Sequence, residues 1–416
     1  GAVPETLIDD AARRILRVKF ELGLFDDPYK YCNAEREKST IGHEKFQEVT
    51  LEMAKKSIVL LKNKNQLLPL KKKGLNIALI GDLADDKTSP LGNWILAADT
   101  NSAVSVLEGM KAYEGNNLEF SVGVKLHTGV LEFAKELNIN TSDKSDFTAA
   151  LNLAKTADVV VMVLGEHGFH SGEGRSRTQL GLPGLQQELL EQVFKVNQNI
   201  ILVLNNGRPL VLDWADQHIP AIVEAWQLGT QSGNAIAQVL YGDYNPSGKL
   251  PMSFPKSIGQ VPIYYNYKST GRPTLPSPDE VFWTHYQDEQ NAPLYPFGYG
   301  LSYTTFAYSN LKINSQNDIS IDVSVEVTNT GNVQGKEVVQ LYVKDHFARP
   351  TQPIKSLKGF ELVDLNPNQT KTVHFTLAEA ELGFYDNDGN FIVQPGDFSI
   401  YVGGDSTTEL NTKFKL

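Results

Sequence analysis

Two carboxylates, two imidazoles and two guanidiniums fall within thirteen residues at 165–177, "GEHGFHSGEGRSR". Glu166 and Glu173 have the chemistry of a general acid and a general base. Arg175 and Arg177 can hold a polar ligand or bias a carboxylate's ionisation. By residue type, His167, His170 and Glu173 are also a zinc-ligand set, each three positions from the next. On a helix that spacing would align them. Gly168, Gly172 and Gly174 interrupt it, so neither a helix nor a metal site is expected, and no cofactor is called for. The ordinary fate of a glutamate is a solvated surface position, so placement must decide.

An unbroken apolar run, "VVVMVL" at 159–164, enters the loop, and a helical pattern, "LPGLQQELLEQVFKVN" at 182–197, leaves it. In open α/β sheets ligands gather outside the carboxyl ends of strands, which is where this loop begins. Similar apolar runs occur at 58–63, 76–81, 118–124, 200–205 and 221–226, with helical stretches at 43–57, 146–157 and 232–242. Runs that do not alternate imply strands buried on both faces, hence a mostly parallel sheet in a three-layer α/β/α sandwich. This sandwich is expected over 46–262.

Residues 1–45 read as an amphipathic helix and a polar linker. Ile8, Ala11, Ile15, Val18 and Leu22 follow helical spacing, and "LFDDPYKYCNAEREKSTIG" follows without period. A chain opening on such a helix is expected to be the tail of a longer polypeptide. Residues 263–300, rich in proline, glycine and aromatics, read as a connector that packs rather than waves in solvent. From 301 to 416 the pattern turns to period two, with turn signals at Asn332, Asp388-Gly389 and Pro395-Gly396, which predicts an all-β sandwich.

Two further motifs are turns by their spacing. "GNVQGKE" at 331–337 lacks the fourth intervening residue and the hydroxyl of a phosphate-binding loop, and a hairpin turn is expected. "DNDGN" at 386–390 lacks the spacing and closing glutamate of a calcium loop. The 416 residues carry 49 acidic against 38 basic side chains, a net charge of −11. No basic patch is available for phosphates, which argues against a nucleic-acid partner. No apolar run approaches the ~20 residues needed to cross a bilayer, so no membrane partner is expected. The single cysteine, Cys32, excludes an intrachain disulfide.

Four motifs in order, the loop with its helix "GEHGFHSGEGRSRTQLGLPGLQQELL", then "VLNNGRPL", "AWQLGTQSGNAIAQVLYGDYNPSGKLPMSFP" and "LYPFGYGLSYTTF", resemble glycoside hydrolase family 3. The likeness is greatest to bacterial periplasmic β-glucosidases and covers nearly the whole chain. It implies a (β/α)₈ barrel upstream, an α/β sandwich and a fibronectin type III-like domain, of which the barrel is not in this chain. Retaining glycosidases need a nucleophile and an acid/base about 5–5.5 Å apart. The resemblance puts the nucleophile on the barrel and the acid/base at Glu173. It matches Glu166 to an upstream Gly-Glu with a supporting role, and Glu166, Arg175 and Arg177 are the candidate substrate-binding residues. In "KSDF", Ser145 or Asp146 is expected to cap a helix, and Asp146 is not expected to act as nucleophile.

The resemblance thus implies half an active site for terminal β-glucosides, no turnover by this chain alone, and a periplasmic or secreted location. With its partner absent, the glycine-rich loop is expected to be held by little of the chain itself. Phe282, Trp283, Tyr286 and Tyr295 are candidates either for the mouth of a sugar site or for glue between sandwich and β-domain. A carbohydrate-binding or scaffold module, another family specificity such as β-xylosidase, and a metal hydrolase on His167, His170 and Glu173 are the competing classes.

Overall fold

The structure is a computed structural model that describes residues 2–269, 272, 281–316 and 320–416. The chain divides into two units, Gly1–Val49 and Thr50–Leu416. The first holds helices α1 (Glu5–Glu21) and α2 (Ala34–Thr40) and the start of α3 (Glu44–Ser57). No residue of α1 is buried, and Ile8, Ile15, Val18 and Leu22 of its apolar stripe are exposed. Helix α2 lies inside the expected linker, because Asn33 caps it by accepting a hydrogen bond from the Arg36 N–H at 2.8 Å.

The second unit opens on six strands: β1 (Val59–Asn63), β2 (Asn76–Ile80), β3 (Asn117–Ser121), β4 (Val159–Gly165), β5 (Ile200–Asn205) and β6 (Ala221–Glu224). They form one sheet in the order β1-β6-β5-β4-β2-β3, parallel except where β1 runs against β6. Every residue of β4, β5 and β6 is buried. Val161, Val163, Ile201, Val203 and Val223 face one apolar layer, which also takes in α4 (Val106–Lys111) and α8 (Ser232–Leu240). Their neighbours Val160, Met162, Leu164, Leu202 and Ile222 face the other, with α5 (Phe147–Thr156), α6 (Gln186–Val196) and α7 (Asp213–His218). Burying each such side chain is worth roughly 1.5–3 kcal/mol, so this two-sided burial, summed over the strands, is what sustains the frame. Asp146 precedes α5, but its side chain makes no capping hydrogen bond, which corrects the expected cap.

Residues 306–415 form two further sheets. Strands β7 (Phe306–Gln316), β8 (Ser320–Asn329) and β11 (Thr370–Ala378) lie in the order β11-β8-β7. Strands β9 (Gly335–Asp345), β10 (Ser356–Leu365), β14 (Asp397–Gly403) and β15 (Asn411–Lys415) lie in the order β10-β9-β14-β15. Alternate residues Val323, Val325, Val339, Leu341, Phe398 and Ile400 share a core between the sheets. A short helix, α9 (Glu379–Leu382), precedes a two-stranded ribbon of β12 (Phe384–Tyr385) and β13 (Phe391–Ile392), whose turn carries Asp388-Gly389. The segment at 331–337 is not a hairpin. It carries the chain from β8 to β9, which belong to opposite sheets.

The connector expected at 263–300 falls partly outside the described residues. Its described part packs through some of its aromatics and leaves others exposed. Tyr295 is 5 % exposed and donates its hydroxyl to Asp216 at 2.6 Å, so it is core rather than the mouth of a site. Tyr265 stacks on Phe297 at 4.2 Å and meets Tyr342 of β9 edge-on. Lys249, from the stretch before it, pairs with Glu337 of β9 at 3.1 Å, and Tyr308 donates to the same carboxylate at 2.8 Å. The sheets at 306–415 are therefore docked to the sandwich through buried polar contacts. Phe282 and Tyr286 remain exposed.

Candidate active-site loop

Strand β4 delivers the loop to the carboxyl edge of the sheet through Gly165, whose φ is +135° and whose absent side chain would strike the Asn205 carbonyl of β5. The Gln186 side-chain amide locks this corner, accepting from the Gly165 N–H at 2.9 Å and donating to its carbonyl at 2.8 Å. Glu166 follows at 0 % exposure. Arg177 meets its carboxylate at 2.6 Å and Arg208, just beyond β5, at 3.1 Å. A buried carboxylate costs several kcal/mol unless paired, and two guanidiniums compensate this one. Glu166 is therefore a structural anchor with no open face for a ligand, which corrects its place among the substrate-binding candidates.

The arginines are engaged in the same way. Arg175 donates to the backbone carbonyls of Phe169, at 2.6 Å, and Phe133. Its guanidinium also lies over the Phe169 ring at 5.2 Å. Arg177 donates its second arm to the Gly181 carbonyl at 3.1 Å. Arg208 reaches the carbonyls of Arg175, at 2.8 Å, and His170, so one side chain clasps the loop on both sides of Glu173.

The imidazoles serve the loop too. His167 accepts on Nδ1 from the Phe169 N–H at 3.0 Å, and His170 accepts on Nδ1 from the His167 N–H at 3.0 Å. Burial pushes His167 down to about 4, and burial with the nearby Arg177 pushes His170 down to about 3. Among the described residues no three ligand-type side chains are placed to hold a metal ion. The loop is thus tied by its own chain, contrary to expectation. Its glycines serve close approach as much as freedom: at Gly172, φ +112°, a side chain would collide with Asn93.

Glu173 is different. It is exposed, and among the described residues no side-chain hydrogen bond or ion pair engages it. It borders an open hollow of about 340 Å³ with Asn93, Trp94, Phe133, Glu136 and Arg175. Trp94 is 64 % exposed and lines this hollow beside Phe133, their ring centroids 6.3 Å apart. Beneath the loop, at the end of β6, the fully buried Glu224 accepts from the Trp226 N–H at 2.9 Å and from Asn206 at 3.1 Å. Burial pushes its carboxyl up to about 8. Sequence reasoning missed Arg208, Glu224 and Trp94. The first two were within reach, since Glu224 ends β6 and Arg208 lies just past β5, where the rule that marked the loop also points. Trp94 follows no strand directly.

A sandwich carrying a clamped, glycine-rich loop with one free carboxylate, joined to a β-domain, is the architecture of a known hydrolase family. Residues 58–303 match the glycosyl hydrolase family 3 C-terminal domain, and residues 337–406 match the fibronectin type III-like domain. The chain belongs to glycosyl hydrolase family 3. Over its whole length it is 40 % identical to the periplasmic beta-glucosidase of Salmonella typhimurium, covering 56 % of that protein. A beta-xylosidase of Formosa agariphila is also 40 % identical, over 97 % of this chain and 54 % of its own length. The beta-glucosidase of Listeria innocua, solved with isofagomine, superposes with a TM-score of 0.88 at 35 % identity, over 100 % of this chain and 56 % of that one. The chain spans about half the length of the relatives it matches. No described helix is long and apolar enough to cross a membrane.

Proposed function

We propose that this chain is the acid/base half of a retaining, exo-acting β-glucosidase. Glu173 gives a proton to the departing glycosidic oxygen and later takes one from the attacking water. The nucleophilic carboxylate belongs to an upstream barrel, consistent with the share of its relatives that the chain spans. The observation that carries this reading is the contrast within one loop. Glu166, Arg175 and Arg177 are consumed in holding the backbone, while Glu173 alone stands free beside an open hollow with an aromatic wall. Arg175 and Arg177 then act on substrate by setting the loop's shape. A periplasmic location goes with this reading, by likeness to the Salmonella protein.

A second carboxylate, Glu136, borders the same hollow. Both it and Glu173 are exposed, so this chain alone offers no closed, dry site for a covalent intermediate. The test is turnover of nitrophenyl β-glucoside. The chain fused to its upstream region should be active and lose activity on Glu173→Gln, and this chain alone should be inactive. Turnover by this chain alone that depends on Glu136 would replace the proposal. The equal identity to a beta-xylosidase favours one other reading, a β-xyloside substrate. Nitrophenyl glucoside and xyloside compared side by side decide between them.

A further inference from the structure

A second cavity of about 340 Å³ opens at the carboxyl edge of the sheet and shares no lining residue with the hollow at Glu173. It lies where the topology diverges. From β2 the chain goes to β3 on one side, and it then crosses to β4 on the other. Open α/β sheets accommodate ligands at such switch points. Asp82 and Asp86 border it after β2, His127 after β3, and His167 after β4, with Leu126 and Leu131 as an apolar flank.

The polar inventory of this cavity is unbalanced. His167 is 2 % exposed, and its Nδ1 lone pair is taken by the Phe169 N–H, so the neutral ring carries its proton on Nε2. Among the described residues that buried N–H has no hydrogen-bond partner, and neither has Nδ1 of His127, whose ring meets His167 edge-on at 5.6 Å. Opposite them, Asp82 accepts from the Leu126 N–H at 2.9 Å. Asp86 accepts from the Thr88 and Ser89 N–H groups on one oxygen and from the Ser89 hydroxyl on the other. A carboxylate offers about four acceptor positions over its two oxygens, so Asp82 retains most of its capacity and Asp86 a little. A buried donor left unsatisfied costs about 1–3 kcal/mol, which is a reason for a ligand to be there.

The chemistry selects the class. An anion meets three carboxylates, Asp82, Asp85 and Asp86. For a metal ion, His167 offers Nε2 with a proton rather than a lone pair, and among the described residues no three ligand-type side chains converge to hold one. An ammonium group only donates and leaves that N–H unmatched. A hydroxyl both donates to Asp82 or Asp86 and accepts from His167. Several hydroxyls on one ring, with C–H edges against Leu126 and Leu131, match the wall, and the volume suits a single small ring. We propose that this cavity binds a neutral polyhydroxylated ligand of monosaccharide size.

The test is saturation-transfer NMR and calorimetry on the 416-residue chain, with glucose, xylose and myo-inositol as probes. At least one should bind saturably with Kd on the order of 1–10 mM. Asp82→Asn and His127→Leu, both at partly exposed positions, should each weaken binding at least tenfold while leaving the thermal transition in place. Trp94→Ala, in the other hollow, should leave binding unchanged. Absence of saturable binding by all three probes, which would mean a water-filled cavity only, overturns the proposal. So does binding that survives both cavity variants or disappears with Trp94→Ala. Because the readout is binding, the outcome is independent of whether Glu173 is the acid/base.

Discussion

The guanidinium of Arg208 meets the buried carboxylate of Glu166 at 3.1 Å while its far arm holds the carbonyls of His170 and Arg175. One side chain from the end of β5 thereby joins the root of the loop from β4 to both flanks of its free glutamate. Removing it leaves the buried charge with Arg177 as its one remaining cation among the described residues. Arg208→Ala should lower unfolding free energy by about 3 kcal/mol. It should also speed hydrogen exchange at amides 170–175, while Arg208→Lys, which restores charge without the fork, recovers stability only in part. Unaltered exchange in Arg208→Ala would remove the clasp from the account.

Glu173→Gln should behave oppositely. Because the side chain is exposed and unpaired, stability should move by no more than about 0.5 kcal/mol. In the protein extended upstream, kcat for a glucoside with a poor leaving group should fall by about 10²–10⁴-fold. Glu136→Gln should keep most of the activity. Steady-state kinetics beside denaturant melts separates these outcomes.

Trp94 is exposed and holds nothing in the core, so Trp94→Ala should leave the melting temperature nearly unchanged. If its ring stacks on the leaving group, KM in the extended protein should rise several-fold with kcat little altered, a loss of about 1 kcal/mol in binding.

Stability should vary with pH through three buried groups. Glu224 has its folded value raised from 4.5 to about 8, so its contribution is complete below 4.5 and is lost as pH climbs toward 8. His167 and His170 are lowered from 6.5 to about 4 and about 3, so theirs is present above 6.5 and is lost as pH falls. Below 6.5 the two imidazoles outweigh the one carboxyl, and above it Glu224 is the one of these three still changing, with a slope of up to about 1.4 kcal/mol per pH unit. Melts across pH 4–9 should show the Glu224→Gln variant gaining relative to the parent between 6.5 and 8. The His170→Asn variant should lose less than the parent does on the acid side.

At the docking of the β-domain, Lys249 and Glu337 are nearly buried, at 12 % and 6 % side-chain exposure. Lys249→Met should cost about 3 kcal/mol by stranding Glu337, and Lys249→Met with Glu337→Leu should restore much of it. Equal losses in the single and double variants would deny the coupling.

The central strands β4, β5 and β6 were readable as apolar runs, because burial on both faces leaves no room for polar residues and marks the sequence directly, whereas the edge strand β3 is only partly covered. The β-domain was readable from period two for the same reason on one face. The loop at 165–177 stood out by composition and by following a strand. Composition did not say which of its charges were free. Glu166 and Glu173 are the same residue type seven positions apart, yet one is sealed between two arginines and the other faces solvent. That difference depends on Arg208, thirty-five residues beyond Glu173 and brought near only because β5 lies beside β4 in the sheet. The sequence alone thus determined the layers, the strands and the place of the candidate site. Tertiary structure decided which groups remain available for chemistry, since the pairing of buried charges is set by strand order, which local residue patterns do not encode.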